Sequence, residues 1–207
     1  KFIFPSAGDT TICQGTSGII KFQVTNATFN GTDVSWTVNV TDPDGLLAPT
    51  TLTGQGNKTV INTIPTTLGI GSHTVTLNGI TTSGTPSGTC TGTVSAMTAI
   101  SVKVFPTPIA TLNTTITEDK CAGSTAVSFS VDVTNAVYPV GPTDLNWVIN
   151  YTDPTGTITG SFTGTGNGNF PFTTGAALAV GTYTISLNSI ALVSPSGALT
   201  HPTCSKT

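Results

Sequence analysis

The sequence predicts an all-β protein built from two tandem β-sandwiches, and three observations carry that prediction. Threonine makes up about a fifth of the 207 residues, while Met, Leu and Glu are scarce and charged residues amount to 7%. Side chains branched at Cβ are already restricted at χ1 and suit a pleated surface better than a helix. No window places apolar residues at helical spacing, whereas short segments alternate apolar and polar residues between Gly, Pro, Asn and Asp. The third observation is that the chain repeats itself. "VTNA" at 24–27 returns at 133–136, "WTVNVTDPDG" at 36–45 as "WVINYTDPTG" at 147–156, and "GQGN" at 54–57 as "GTGN" at 164–167. "GSHTVTLNGI" at 71–80 answers to "GTYTISLNSI" at 181–190.

These matches keep offsets of 109 to 111 and put the join at "FPTP", residues 105–108. The repeats are therefore expected at 5–106 and 107–207. In the first, strands are expected near 9–12, 19–25, 34–41, 46–53, 58–64, 72–80 and 94–104, each an alternating run closed by turn residues. Seven short strands in about 100 residues describe an immunoglobulin-like sandwich. Trp36 and Trp147 then fall on the third strand and fill the space between the sheets as core, not as ligand-stacking platforms.

The two ends of the chain break the pattern. After Cys90 the first copy continues through "SAMTAISVKVFP", a last strand, whereas only "SKT" follows Cys204, so the second repeat is expected to lack its last strand. "KFIFP" at the start resembles "VKVFP" at 102–106, and residues 1–4 are expected to be the tail of a preceding repeat's last strand in a longer array. Alternatively, the same segment completes the open sheet of another copy by strand addition, as in a pilus-like subunit.

Each copy carries two cysteines at matching places, Cys13 with Cys90 and Cys121 with Cys204, which predicts one disulfide inside each repeat and an extracellular setting. No Cys-x-x-Cys spacing supports zinc, and His73 and His201 are far from either pair in sequence. Net charge is −3 with a pI near 4.9, and Lys and Arg cluster nowhere, which argues against nucleic acid or an anionic membrane surface as partner. No apolar run approaches the roughly 18 residues of a membrane span.

Asp42 and Asp44, with Asp33 across the sheet, offer hard oxygen ligands for a cation. The second copy keeps Asp153 but has Thr155 in place of the other carboxylate, so a site needing both is absent from one repeat. Asp42, Pro43 and Gly45, and likewise Asp153, Pro154 and Gly156, fit a turn in which Asp accepts backbone hydrogen bonds and Pro presets φ. Acidic residues are scattered over both repeats rather than paired as glycoside hydrolysis requires. His73 is replaced by Tyr183, and His201 sits in a Pro-flanked loop, so neither supports a serine triad in both copies. The glycine-rich "GQGN" and "GTGN" lack the Lys and following helix of a phosphate cradle. No catalytic residue, metal ligand or cofactor is expected. Asn-x-Ser/Thr patterns at Asn26, Asn30, Asn39, Asn57, Asn113 and Asn150 carry little weight in so threonine-rich a chain.

Taken together, an early Cys, a Val-Thr-rich second strand, Trp followed by an Asp-Pro turn, "GTYTISLNSI", a closing Cys and a "VFPTP" linker resemble tandem immunoglobulin-like or PKD-like repeats of large cell-surface proteins of Bacteroidota, including SprB-type gliding-motility adhesins. The turn departs from the Gly-Asp-Gly of PKD repeats proper. The resemblance implies a surface filament or stalk that spaces and loads an adhesive contact, with neighbouring repeats, surface polysaccharide or the substratum as partners. It also implies O-glycosylation at Thr10, within Asp9-Thr10-Thr11. A carbohydrate-binding module pair of a secreted protein is the rival expectation.

Overall fold

The computed structural model describes residues 2–3, 10–41, 50–83, 90–92, 99–113, 117–123, 127–153, 158–173 and 179–207. All regular elements among them are strands, and the chain forms two compact units, Lys1–Val104 and Phe105–Thr207. Among the described residues no helix is long and apolar enough to cross a membrane.

The first unit contains β1 (Phe2–Ile3), β2 (Thr10–Cys13), β3 (Gly18–Val24), β4 (Thr28–Phe29), β5 (Thr32–Asp33), β6 (Ser35–Thr41), β7 (Thr50–Gln55), β8 (Lys58–Ile64), β9 (Gly71–Ser83), β10 (Cys90–Gly92) and β11 (Ala99–Phe105). One sheet runs β1-β3-β8 and the other β2-β11-β9-β6-β7, with β10 paired to the far end of β9. The split has a simple cause: successive side chains of a strand point to opposite faces, so each alternating strand offers one apolar row. Ile20, Phe22 and Val24 of β3, Trp36, Val38 and Val40 of β6, and Ile100, Val102 and Val104 of β11 are all buried in one cluster.

The second unit contains β12 (Ile109–Leu112), β13 (Thr117–Lys120), β14 (Ser128–Thr134), β15 (Val137–Tyr138), β16 (Thr143–Asp144), β17 (Asn146–Thr152), β18 (Thr159–Thr165), β19 (Gly168–Thr173), β20 (Gly181–Thr184), β21 (Ser186–Leu192) and β22 (Ser205–Lys206). Its sheets are β12-β14-β19 and β18-β17-β21-β22, with β13 paired to β20. The register break of β6 against β9 between Asn39 and Val40 recurs in β17 against β21 between Asn150 and Tyr151, so even the bulge is repeated.

Two expectations change, and one edge of the second repeat is built from a different strand. First, residues 2–3 are not the tail of a foreign strand: Phe2 pairs with Val24 of β3, as Ala110 of β12 pairs with Val133 of β14. They are the first strand of their own repeat. The resemblance to "VKVFP" reflects the alternation that any sandwich strand needs.

At the edge in question, among the described residues, no strand of the second repeat corresponds to β11. The place is filled by β13, the counterpart of β2, which pairs directly with β20.

Second, the bridge expected between Cys121 and Cys204 is not formed: Cys204 is disulfide-bonded and buried, but Cys121 is an exposed free thiol. Geometry explains why. Cys121 follows Lys120, which lies opposite Gly181, while the Cys204 carbonyl accepts the Leu192 N–H. Along β20 and β21 those two ends are roughly 35 Å apart at about 3.3 Å per residue, against a Cα separation of about 7 Å at most for a disulfide. Cys13 is also disulfide-bonded, and because Cys121 is free the bond of Cys204 excludes a Cys13–Cys90 bridge as well, so the disulfide expected inside each repeat is formed in neither.

Candidate functional site

The residues that recur between the repeats converge on one pole of each sandwich and build the same hydrogen-bonded clamp. Trp36 is buried, and its indole N–H donates to the Gly56 carbonyl at 2.9 Å. Trp147 donates to Gly166 at 2.9 Å in the same way. A buried indole needs a partner for its one N–H, and here a backbone carbonyl supplies it.

The glycines of "GQGN" and "GTGN" are explained by these rings. A Cβ on Gly54 or Gly164 would overlap the six-membered ring of Trp36 or Trp147, so only glycine lets the neighbouring strand pass. Gly56 (φ +63°) and Gly166 (φ +71°) adopt the left-handed conformation, and each lies against a carboxylate, Asp33 or Asp144. The last letter of the motif closes the clamp. Asn57 Oδ1 accepts the Ala27 N–H at 2.9 Å, and Asn167 Oδ1 accepts the Ala136 N–H at 2.7 Å.

"VTNA" supplies the other jaw. Asn26 (φ 56°) and Asn135 (φ 58°) take the left-handed turn that Asn tolerates better than other side chains. This turn presents Ala27 and Ala136 to the clamp. Their carbonyls accept from Val34 N–H and Leu145 N–H, at 2.9 and 2.8 Å. Gly56 N–H and Gly166 N–H in turn donate to Val34 O and Leu145 O, at 3.1 and 3.0 Å. Each clamp thus ties the turn after β3 or β14 to the hairpin between the sheets, through backbone groups that would otherwise be unsatisfied.

At the start of β9, His73 Nε2 lies 2.8 Å from the Gly69 carbonyl, and at the start of β20 the Tyr183 hydroxyl donates to Ala179 O at 3.1 Å. Both tethers reach back four residues, which is the arrangement of a tyrosine corner in such sandwiches. His73 and Tyr183 therefore share a structural role. The substitution that sets the two sequences apart at this position conceals a common geometry.

Of the predicted turn residues, Asp153 is the one within the described residues. It is buried, its Oδ1 accepts the Ile158 N–H at 2.8 Å, and its own N–H donates to Ile158 O at 2.9 Å. The carboxylate ties the end of β17 to Ile158. Asp42, Pro43, Asp44, Gly45, Pro154, Thr155 and Gly156 lie outside the described residues, as does Asp9, while Thr10 is half-buried at the start of β2.

Sequence reasoning missed one side-chain pair with the elements of chemistry. Ser196 Oγ lies 2.8 Å from His201 Nε2, and His201 Nδ1 lies 2.9 Å from the Pro202 carbonyl. A nitrogen facing a carbonyl carries the proton, so in the neutral ring Nε2 accepts from the Ser196 hydroxyl. The Ser196 oxygen also accepts the Asn146 N–H at 2.7 Å and is fully buried. A nucleophile needs access to a reacting carbon and a base oriented by a carboxylate. Here the base is held by a backbone oxygen, the hydroxyl is already in use, and the pair fastens the 194–201 loop to β17. Phe105, stacked on Tyr138 at 4.6 Å and 5.1 Å from the His201 ring, covers this loop.

Among the described residues no three His, Cys, Asp or Glu side chains come together as a metal site. Among the described residues, a groove of about 180 Å³ lies between β12 and β21, lined by Ile109, Leu187, Asn188 and Lys206.

No family model matches the chain, and no curated protein does. Solved structures with similar arrangements include the calcium-binding domain pair CBD12 of CALX1.2 (9% identity, TM-score 0.34, 96% of this chain and 84% of that one). CBD12 of CALX1.1 is similar at 7% identity and a TM-score of 0.36, over 93% of this chain and 81% of that one. The FN1–FN3 domains of chicken CNTN1 match at 9% identity and a TM-score of 0.34, over 97% of this chain and 61% of that one. The description of this chain as tandem immunoglobulin-like sandwiches rests on its own strand pairing.

Proposed function

We propose that the chain is a structural and adhesive repeat segment of a bacterial cell-surface filament or stalk, which spaces a surface contact and transmits load to it, with gliding motility as its setting. The observation that carries this reading is the twofold construction of one clamp from the residues the repeats share. Shared residues otherwise spread over a cleft or a carboxylate pair go here into hydrogen bonds between turns and into the core. Disulfide-bonded Cys13 and Cys204 support an oxidising, extracellular location. The sparsely charged, hydroxyl-rich composition suits hydrated contact with neighbouring repeats, polysaccharide or substratum, and its few, scattered Lys and Arg suit nucleic acid or anionic lipid poorly. The reading is non-enzymatic and needs no cofactor.

The experiment is single-molecule extension of the reduced chain held at its two ends. Two discrete unfolding events are expected, each releasing roughly 350 Å of chain for a repeat of about 100 residues. Extension without discrete events would count against load transmission.

A carbohydrate-binding pair is the second reading, favoured by an aromatic stack on the second repeat in which Phe162 and Phe172 are half-buried over the buried Tyr151. There Phe162 lies 3.8 Å from Phe172 and 4.3 Å from Tyr151, ring centre to ring centre. Saturable glycan binding abolished by Phe162→Ala, without loss of folding, would select it.

A further inference from the structure

We propose that the β20 edge of the second repeat is an acceptor for an added strand of β11 type, an extended segment with apolar side chains at every second position. The inference rests on strand register and is independent of the load-bearing reading. In the first repeat, β11 places Ser101, Val102, Lys103 and Val104 opposite Thr74, His73, Ser72 and Gly71. In the second, β13 places Thr117, Glu118, Asp119 and Lys120 opposite Thr184, Tyr183, Thr182 and Gly181. These are the same four positions of the same strand, paired in the same antiparallel sense. β13 therefore occupies the first repeat's β11 position, whereas its own counterpart β2 lies one strand further out, in the order β2-β11-β9.

The substitute is the poorer fit by residue type. Ile100, Val102 and Val104 are buried in the core of the first repeat, whereas β13 reads Thr-Glu-Asp-Lys, charged residues that are depleted in strand interiors and typical of protected edges. Asp119 already accepts from the Thr182 hydroxyl at 2.7 Å, an exposed contact that an outer strand would give up at little cost.

Strand addition satisfies the backbone of the edge, and the alternate side chains of the added strand provide selectivity. The occupant that matches is the one the first repeat displays: apolar, β-branched residues at the register positions of Ile100, Val102 and Val104. On its arrival β13 moves outward, leaving the added strand between β13 and β20 as β11 lies between β2 and β9 in the first repeat.

The test uses the intact isotope-labelled chain and a synthetic peptide of residues 99–105, extended by lysines for solubility. Saturable binding is expected, with amide shifts and new exchange protection confined to residues 117–121 and 181–186. A peptide carrying Val102→Asp should bind at least about tenfold more weakly, since it brings a charge to a buried register position. The chain variant Asp119→Ala, which loosens β13, should bind the native peptide about two- to fivefold more tightly. Three results would overturn the proposal: no saturable binding, equal binding of the Val102→Asp peptide, or shifts mapping to another edge such as β1 or β22. Concentration-dependent dimerisation through β20 without peptide would also overturn it, because the edge would then pair with its own copy.

Discussion

The clamp pole and the β20 edge of the second repeat lie in the same sandwich, yet one copies the first repeat nearly atom for atom and the other does not. At the clamp, Trp, two glycines, Asn and the left-handed Asn turn recur with hydrogen bonds that agree within a few tenths of an ångström. At the edge, the strand that pairs with β20 has changed identity. The difference separates two kinds of constraint. A left-handed φ, a glycine under an indole ring and a buried N–H each admit one or two residue types, so their sequence is held fixed. A sheet edge asks only for backbone partners, and any nearby strand of the right direction can supply them.

The strongest way to break this comparison is to remove the indoles. Trp36→Ala and Trp147→Ala should each destabilise their own repeat by about 3–5 kcal/mol, through lost burial and the cavity left behind. The two costs should agree within about 1 kcal/mol if the clamps are equivalent. Because the chain has two Trp, each variant leaves one indole whose fluorescence reports the other repeat during urea unfolding. A loss confined to one variant would show that the clamps only look alike.

Gly56→Ala and Gly166→Ala come next, at about 2 kcal/mol each. A Cβ at φ near +65° is strained, and here it also presses on Asp33 or Asp144. Relief of this loss by a second change, Asp33→Ala or Asp144→Ala, would separate the contact from the backbone strain. If the double variants recover nothing, the whole cost lies in φ.

Asn57→Ala and Asn167→Ala should each cost about 1–2 kcal/mol, the penalty of leaving the Ala27 or Ala136 N–H without its acceptor. The Asp alternatives keep an acceptor and should recover most of that. Thermal melts that place the Asp variants level with the Ala variants would mean that the amide group acts by some other contact.

How much of this was legible beforehand follows from the same division. Each of the seven strands expected in the first repeat has a counterpart between β2 and β11, with 46–49 and 94–98 of two of them outside the described residues, because alternation of buried and exposed residues is a local property that the chain writes directly. Trp36 and Trp147 as core were legible too, since the repeat kept them while the residues around them varied. The clamp itself was not. "GQGN" looked like a failed phosphate loop because the reason for its glycines is a ring twenty residues away. The short β4–β5 hairpin also escaped notice, its four residues being too few to show a period. The Cys121–Cys204 pairing failed for a related reason: matching positions in two repeats show that the cysteines are equivalent, but say nothing of the distance between them. That distance is set by the length of the strand that separates them, which spacing in sequence does not reveal.

The smallest expected effect tests whether unlike residues can share one task. Tyr183→Phe removes the hydroxyl that donates to Ala179 O and should cost about 1 kcal/mol, the net worth of one hydrogen bond, with little change in packing. His73→Tyr should then be close to neutral, within about 1 kcal/mol, because the phenol can reach the Gly69 carbonyl along the path that the imidazole takes now. Neutrality has a further physical basis: Nδ1 of His73 is buried without a hydrogen-bond partner, a cost that the phenol does not carry. The larger ring must still fit beside Val102, which lies opposite it on β11, and overpacking there would oppose the gain. Melting temperatures of the two variants decide the matter. A Tyr at 73 that destabilises by several kcal/mol would mean that the corner is shaped for imidazole in one repeat and phenol in the other, and that the tethers, though alike in their hydrogen bonds, are not interchangeable.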